Sequence, residues 1–425
     1  MKAITIFTVT FSAMAIVSGC KSYEAKPIDW DKESKDWTKV NTLRFNSLDD
    51  VAIVALIGNP DLNRLRIARA NSEMVARETG WWEDPEIEFD VMRIVRSANH
   101  PFLGGGALKF SIPLSGVPKL ERKTQEAYTK AAADEITARE CEVASAARMA
   151  AVRLTSSQNI ARMLDRFEND EVIAKAFTAA EKLTAEGELS TTDLTSAKLR
   201  RHSRIHQLRD AQNAADEAES ELRKLLGVSP NTILDFAEYL EHGCIHTSMP
   251  PERAAIDYTK HPKVQAALHR LKGGELALKT EIRRQYPELK IGPAFSNEEG
   301  QGRIGLVAGA TLPLWNRNRR GIAQAEGERD ELKWDAISLW REITLDVHAA
   351  RRKLKNLIDH QPDHRSRSVT EVNQLLKAGE LDILAYLSAR EEILEAELAE
   401  VEWKTGICLA SEELNKNNAE VKYNE

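Results

Sequence analysis

The sequence predicts a mainly α-helical chain with a small β part, built from two internal repeats. Three observations carry that prediction. First, matched anchors recur in one order: Asn59-Pro60 with His261-Pro262, then Asp84-Pro85-Glu86-Ile87 with Tyr286-Pro287-Glu288-Leu289, both prolines displaced by 202 residues. Ile112-Pro113-Leu114 matches Leu312-Pro313-Leu314. Gly187-Glu188-Leu189 and Ser196-Ala197-Lys198 match Gly379-Glu380-Leu381 and Ser388-Ala389-Arg390. A period this long is a half-fold used twice, not a short solenoid unit. Second, aromatics are only 6% and charged residues 29%, a balance typical of long helices. Third, the apolar period switches from helical to two just after Pro85 and Pro287.

The elements follow in chain order. Lys2, the apolar run Ala3 to Val17 and the small residues Ser18-Gly19 read as a signal peptide over 1–19. The run is shorter than the roughly 20 residues a spanning helix needs. Residues 20–46 are mostly polar, with Trp30 and Trp37 among them, and are expected to form an extended leader. The first repeat is expected over 47–229. Ser47, followed by Asp49 and Asp50, caps its first helix. After Pro60, Leu62, Leu65, Ala68, Ser72 and Val75 fall on one helix face.

A β-hairpin is expected over 86–113. Ile87, Phe89 and Val91 alternate with Glu86, Glu88 and Asp90, giving one apolar and one acidic face. Leu108, Phe110 and Ile112 return against Ala107, Lys109 and Ser111. Met92, Ile94 and Val95 break the alternation. A long helical hairpin follows, with its turn at Gly187. If unbroken, its descending arm from Gly116 to Glu186 would reach roughly 105 Å at 1.5 Å per residue.

Residues 230–260, containing Gly243 and Pro250-Pro251, read as a surface linker with short helices. The second repeat is expected over 261–415. Its β-hairpin spans 288–313, with Pro293 as an irregularity, and its helical hairpin turns at Gly379, with Pro362 as an interruption. Leu387, Leu394, Leu398 and Val401 are spaced like a coiled-coil seam. Residues 416–425 are expected to be a disordered tail.

Chemistry-bearing motifs are few. The net charge of −7 gives no general attraction to nucleic acid. Cys20, Cys141, Cys244 and Cys408 form no CxxC pair. His202 and His206 are four apart on a helix, a metal-ligand spacing, but lack a third ligand nearby; His242, Cys244 and His246 form a second weak cluster. Neither HExxH nor a P-loop occurs, and Gly104-Gly105-Gly106 lies by a hairpin turn rather than before a helix. No catalytic residue, cofactor or metal site is therefore expected.

The signal ending Val17-Ser18-Gly19-Cys20 resembles a bacterial lipobox, in which the cysteine becomes the acylated first residue. Between Ser47 and Ser411, the doubled order of N/H-P opening, hairpin, I/L-P-L and Gly-x-Leu turn resembles the TolC-type outer-membrane factors. The resemblance implies a homotrimer: a twelve-stranded transmembrane β-barrel, four strands per chain, continued by a periplasmic α-helical barrel. It implies Glu86, Glu88 and Asp90 toward the pore and Ile87, Phe89 and Val91 toward lipid. It also implies that Gly187, Glu188, Leu189, Gly379, Glu380 and Leu381 form a tip that docks a periplasmic adaptor serving an inner-membrane pump of resistance-nodulation-division type.

Asp193 matches an acidic position at the family's tip and is the candidate gate residue. Ala385 and Ser388 replace acids found in some members, and Glu186 and Ala378 replace a frequent valine. Leu314-Trp315-Asn316-Arg317-Asn318-Arg319-Arg320-Gly321 resembles the segment after the second hairpin in the divalent-cation branch; read from residues alone, it ends a strand and starts a helix. The rival reading is a lipid-anchored structural coiled coil of the envelope, which has no use for two matched strand pairs.

Overall fold

The computed structural model describes residues 23–93, 95, 102–237, 258–298, 301–312, 315–361 and 368–418. Cys20, Pro313, Leu314, Pro362, His242, Cys244 and His246 lie outside them. The described residues divide into a small unit, up to Leu43 with Val228–Ile233, and a large one holding the rest.

In the small unit, α1 (Trp30–Trp37) forms inside the stretch expected to be extended. Asp29 caps it by accepting from the Lys32 N–H at 3.1 Å, and Asp31 and Glu33 suit its positive N-terminal end. Neighbouring chain is pinned by Thr232 Oγ1, which donates to the Val40 carbonyl at 2.8 Å. The strands β1 (Thr42–Phe45) and β4 (Ile233–Phe236) form a two-stranded sheet. The stretch expected to be a surface linker with short helices thus contributes a strand at its start and one short helical turn, Tyr258–Lys260, at its end, and residues 238–257 lie outside the described part.

The large unit opens with α2 (Leu48–Gly58), where Ser47 and Asp50 form a reciprocal capping box. Next, α3 (Pro60–Glu78) starts at Asn59, whose side chain accepts from the Leu62 N–H at 3.1 Å and donates to the Leu225 carbonyl at 3.0 Å. Its counterpart α7 (Pro262–Arg283) starts at His261, whose Nδ1 accepts from the Lys263 N–H at 3.2 Å. Burial pushes the His261 pKa down to about 4, which keeps the ring neutral and able to accept. Of the stripe expected on α3, only Leu62 is buried; Ala68 and Val75 are exposed within one chain.

Four strands follow in two pairs: β2 (Glu86–Arg93) with β3 (Phe102–Ile112), and β5 (Leu289–Glu298) with β6 (Gln301–Ala310). They join in one antiparallel sheet of order β2-β3-β5-β6.

After the first pair, α4 (Val117–Glu168) runs 52 residues, about 78 Å at 1.5 Å per residue. It breaks at Asn169, and α5 (Glu171–Ala185) continues to Gly187. The return, α6 (Thr191–Leu226), is 36 residues long. After the second pair, α8 (Arg319–Asp359) and α9 (Val369–Ala378) lead to Gly379, and α10 (Ile383–Asn418) returns, again over 36 residues. The helix carries on through Asn418, so it includes the first three residues of the expected tail, and the others lie outside the described residues.

Small side chains let these helices approach closely. Ala144, Ala147, Ala150 and Ala151 of α4 are all buried. One core lies toward the turns and gathers Leu164, Phe167, Ile173, Phe177, Tyr386, Leu387 and Leu394. A second gathers Val264, Ile343, Val347, Leu354, Ile407 and Leu414. Leu387 and Leu394 of the predicted seam are buried, and Leu398 and Val401 are half-buried.

Candidate functional site

The register of the sheet fixes its two faces. Glu86 pairs with Lys109, Glu88 with Ala107 and Asp90 with Gly105. Ser111 pairs with Lys290 and Gly105 with Ser296; Lys290 then pairs with Gly309, and Ser296 with Arg303. Because side chains alternate, all of these share one face. It carries Glu86, Glu88, Asp90, Lys109, Lys290 and Arg303, together with glycine, alanine and serine, while Arg93, at the end of β2, alternates onto the other face. The opposite face carries Ile87, Phe89, Val91, Leu108, Phe110, Ile291, Phe295, Ile304 and Leu306.

Among the described residues nothing covers this apolar face. Phe89 is 79% exposed, Ile304 88% and Leu306 79%. Large contiguous apolar surface of this kind marks contact with another protein or a membrane. The sheet also ends in two outer strands, β2 and β6, each paired on one side only. Their outward N–H and C=O groups have no strand partner among the described residues.

The polar face differs from the acidic wall that the sequence suggested. Lys290 Nζ lies 2.6 Å from Glu86 Oε1, and Lys109 pairs with Glu88. These pairs connect β2 with β3 and with β5. The β3–β5 ladder is interrupted opposite Leu108 and Lys109, where β5 offers Gly292 and Pro293. Proline has no N–H to donate. A Cβ on Gly292 would stand 1.7 Å from the Leu108 carbonyl oxygen, so the two strands pass there only because position 292 lacks a side chain.

Aromatics collect at one end of the sheet, where β2 and β5 begin and β3 and β6 end. Trp81, Trp82, Tyr286 and Trp315 are all exposed there. Beside Trp315, the turn into α8 uses Arg317 and Asn318 at positive φ, 44° and 50°. Asn318 Nδ2 donates to the Glu281 carbonyl at 2.9 Å and to its carboxylate at 2.6 Å. This part of the motif therefore starts a helix and ties it to the end of α7.

The two helical turns at the other pole of the repeats share one solution. Gly187 (φ 81°) and Gly379 (φ 73°) take the left-handed conformation in which glycine meets no steric penalty. The Glu188 N–H reaches the Leu183 carbonyl at 2.9 Å, and the Glu380 N–H reaches the Leu375 carbonyl at 3.0 Å. Glu188 and Glu380 are exposed, Leu189 and Leu381 half-buried, and Asp193 exposed. The second turn has a cap that the first lacks: Asp382 accepts from the Ala385 N–H at 2.8 Å, whereas Ser190 makes no side-chain cap.

Between these turns and the main helical core sits a polar cluster with no counterpart in the sequence reading. Asp170 caps α5, accepting from the Val172 N–H at 2.8 Å. The same side chain accepts from the buried Arg390 at 2.9 Å. Arg390 donates to Tyr386 Oη at 3.0 Å, and Tyr386 donates to Asn373 Oδ1 at 2.9 Å. The cluster thus joins α5, α9 and α10. Burial opposes ionisation of Asp170, but the Arg390 guanidinium and the Val172 N–H outweigh it and hold the carboxyl below its usual range. Nearby, Arg200 pairs with Glu391 at 2.6 Å and approaches Ser388 Oγ at 3.4 Å. The Asn169-Asp170-Glu171 start signal was readable as a cap; the partner 220 residues away was not.

His202 and His206 are exposed on α6, and the described residues contain no group of three metal-ligating side chains. Cys141 and Cys408 are buried, and burial pushes the Cys141 thiol up to about 11.

No family model matches the sequence. A curated relative is the cobalt-zinc-cadmium resistance protein CzcC of Cupriavidus metallidurans, 24% identical over 238 residues, which are 54% of this chain and 56% of that protein. The match therefore spans about half the length of the relative. Solved structures agree over far more of the chain. A CusC structure, described in terms of folding and transmembrane channel formation, superposes with a TM-score of 0.69 at 13% identity, covering 94% of this chain and 99% of that one. A membrane protein of Pseudomonas aeruginosa gives 0.70 at 15% identity over 94% and 97%. The CmeC outer-membrane channel of Campylobacter jejuni gives 0.67 at 15% identity over 94% and 90%. A strand pair followed by a long helical hairpin, twice over, with the four strands in one sheet, gives the chain the fold of the TolC-type outer-membrane channels.

Proposed function

We propose that the chain is the outer-membrane exit channel of a tripartite export system, acting as a homotrimer and carrying out no catalysis. The observation that carries the reading is the sheet. It has an uncovered apolar face, a polar face and two unpaired edges. A bilayer admits only helices or closed strand barrels, since each unpaired backbone group in hydrocarbon costs several kcal/mol. Among the described residues no helix is long and apolar enough to cross a membrane. Four strands cannot close alone, so three copies would supply a twelve-stranded wall, with Ile87, Phe89 and Val91 toward lipid and Glu86, Glu88 and Asp90 toward the lumen. Strands of 8 to 11 residues suit a tilted crossing. Trp81, Trp82, Tyr286 and Trp315 would lie at the periplasmic membrane boundary, where amphipathic rings are favoured.

In this reading the anchor anticipated at Cys20 tethers the chain to the outer membrane, and the long helices extend into the periplasm as the halves of an internal duplication. The turns with Gly187, Glu188, Leu189, Gly379, Glu380 and Leu381 receive the adaptor, Asp193 lines the entrance, and an inner-membrane pump supplies the energy. The proposed cargo is divalent metal cations. CzcC, named for cobalt, zinc and cadmium resistance, and the Trp315-to-Gly321 segment support that choice.

The test uses the full-length protein extracted from membranes in detergent. Trimers by light scattering and discrete conductance steps in planar bilayers are expected. Well-folded trimers that stay silent, or a monomer that keeps its sheet without detergent, would sink the reading. Loss of tolerance to zinc, cobalt and cadmium on gene deletion is the expected sign of the cargo; unchanged tolerance would remove it.

A further inference from the structure

We infer that Lys109 and Lys290 keep the polar face of the strand wall charge-balanced, so that divalent cations pass it without being held. The inference rests on the channel reading above and adds a selectivity determinant to it.

Along β2, Glu86, Glu88 and Asp90 point the same way, spaced by two residues, or about 7 Å. Carboxylate oxygens are hard donors for divalent cations, and a row of them repeated around a ring concentrates and binds such ions. Two of the three are occupied. Lys290, reaching from β5, places Nζ 2.6 Å from Glu86 Oε1. Lys109 stands opposite Glu86 in the register yet takes Glu88, its diagonal neighbour, which leaves Glu86 to Lys290. Arg303, farther along the same face, adds another positive group. The described side chains of this face thus carry three acids, Glu86, Glu88 and Asp90, against three bases, Lys109, Lys290 and Arg303.

These lysines add little stability. Both carboxylates are more than half exposed, where water and salt screen an ion pair. What they do supply is charge at a fixed place. The rest of the face has few donor groups: Gly105, Ala107, Gly292, Ala294, Gly305 and Gly309 continue it. A Cβ added at Gly305 or Gly309 would meet nothing within 4 Å, so the wall there is open. Conduction needs binding weak enough for release. A duct that exports metal cations is therefore served by paired carboxylates, and unpaired ones would retain the cargo.

The experiment compares wild-type protein with Lys109→Met/Lys290→Met and Lys109→Arg/Lys290→Arg in planar bilayers. Reversal potentials are read in a KCl gradient, and block is titrated with zinc chloride. The methionine pair is expected to raise the K⁺/Cl⁻ permeability ratio about three-fold or more and to lower the half-blocking zinc concentration about ten-fold. The arginine pair should keep wild-type values. Adding Glu86→Gln/Glu88→Gln to the methionine pair should abolish the new zinc block. Conducting methionine-pair trimers with wild-type selectivity and block would overturn the inference. A failure of the methionine pair to assemble would also count against it, since assembly would then be the role of these lysines. A wild-type protein that does not conduct sinks the channel reading instead.

Discussion

The sheet and the helical segment around Tyr386 bury their side chains in opposite ways. Around Tyr386 one chain suffices: Leu164, Phe167, Ile173, Phe177 and Leu394 close on one another, and the enclosed polar groups of Tyr386 and Asp170 find partners in Arg390 and Asn373. In the sheet one chain completes nothing. Phe89, Ile304 and Leu306 face outward, and both outer edges lack a strand partner. The difference assigns two sources of stability. The helical part draws on its own packing, while in the proposed barrel the strands would draw on lipid and on other copies. Perturbations should therefore separate them cleanly.

The largest expected effect is in the helical core. Arg390→Ala removes the charged partner of Asp170 and one of the two hydrogen bonds of the Tyr386 hydroxyl, empties the buried site of the guanidinium, and should destabilise the helices by about 3–5 kcal/mol. Chemical unfolding followed by helical circular dichroism measures it; a loss under about 1 kcal/mol would mean the cluster is ornamental. In the sheet, Phe89→Arg should cost about 2–4 kcal/mol in refolding into lipid vesicles while leaving the helical signal intact. Glu88→Gln, one residue away on the other face, should cost under about 1 kcal/mol. Equal penalties at 88 and 89 would break the two-face assignment.

Smaller effects sharpen the comparison at the turns. Gly187→Ala and Gly379→Ala force a side chain into left-handed backbone and should each cost about 1 kcal/mol. Their effect on unfolding is expected to be similar, and a large gap would point to a contact specific to one turn. The pH dependence of Asp170 has a definite sign. Its folded pKa lies below the ordinary value of 3.8, so its contribution is complete above that value and is lost as pH falls through the folded pKa. Asp170→Asn should flatten acid unfolding of the helical part in that window. A wild-type slope in the variant would show that other carboxylates dominate.

Much of this architecture was legible in the sequence, because local chemistry sets it. The Asn59 and His261 caps lie beside their prolines, Gly187 and Gly379 sit where the chain reverses, and Ile87, Phe89 and Val91 alternate with acids. Pairing across long separations was not legible. Lys290 meets Glu86 over 204 residues, so the acidic row seemed unbalanced when read along one strand. The Asp170–Arg390 contact failed for the same reason. At α1 the error was local: Asp29 followed by Asp31 and Glu33 is a helix start, but polarity was read as an extended leader. The α3 stripe shows the converse limit. Val75 belongs to the apolar pattern and is exposed in a single chain.

The unpaired edges of β2 and β6 have a genetic consequence. They are different surfaces, so in the proposed ring each joint would set the β6 edge of one copy against the β2 edge of the next. A mutant with a spoiled β6 edge would still be recruited through its sound β2 edge and would then leave the circle unsealed. Such alleles should be dominant over the normal gene, whereas alleles that unfold the helices should be recessive.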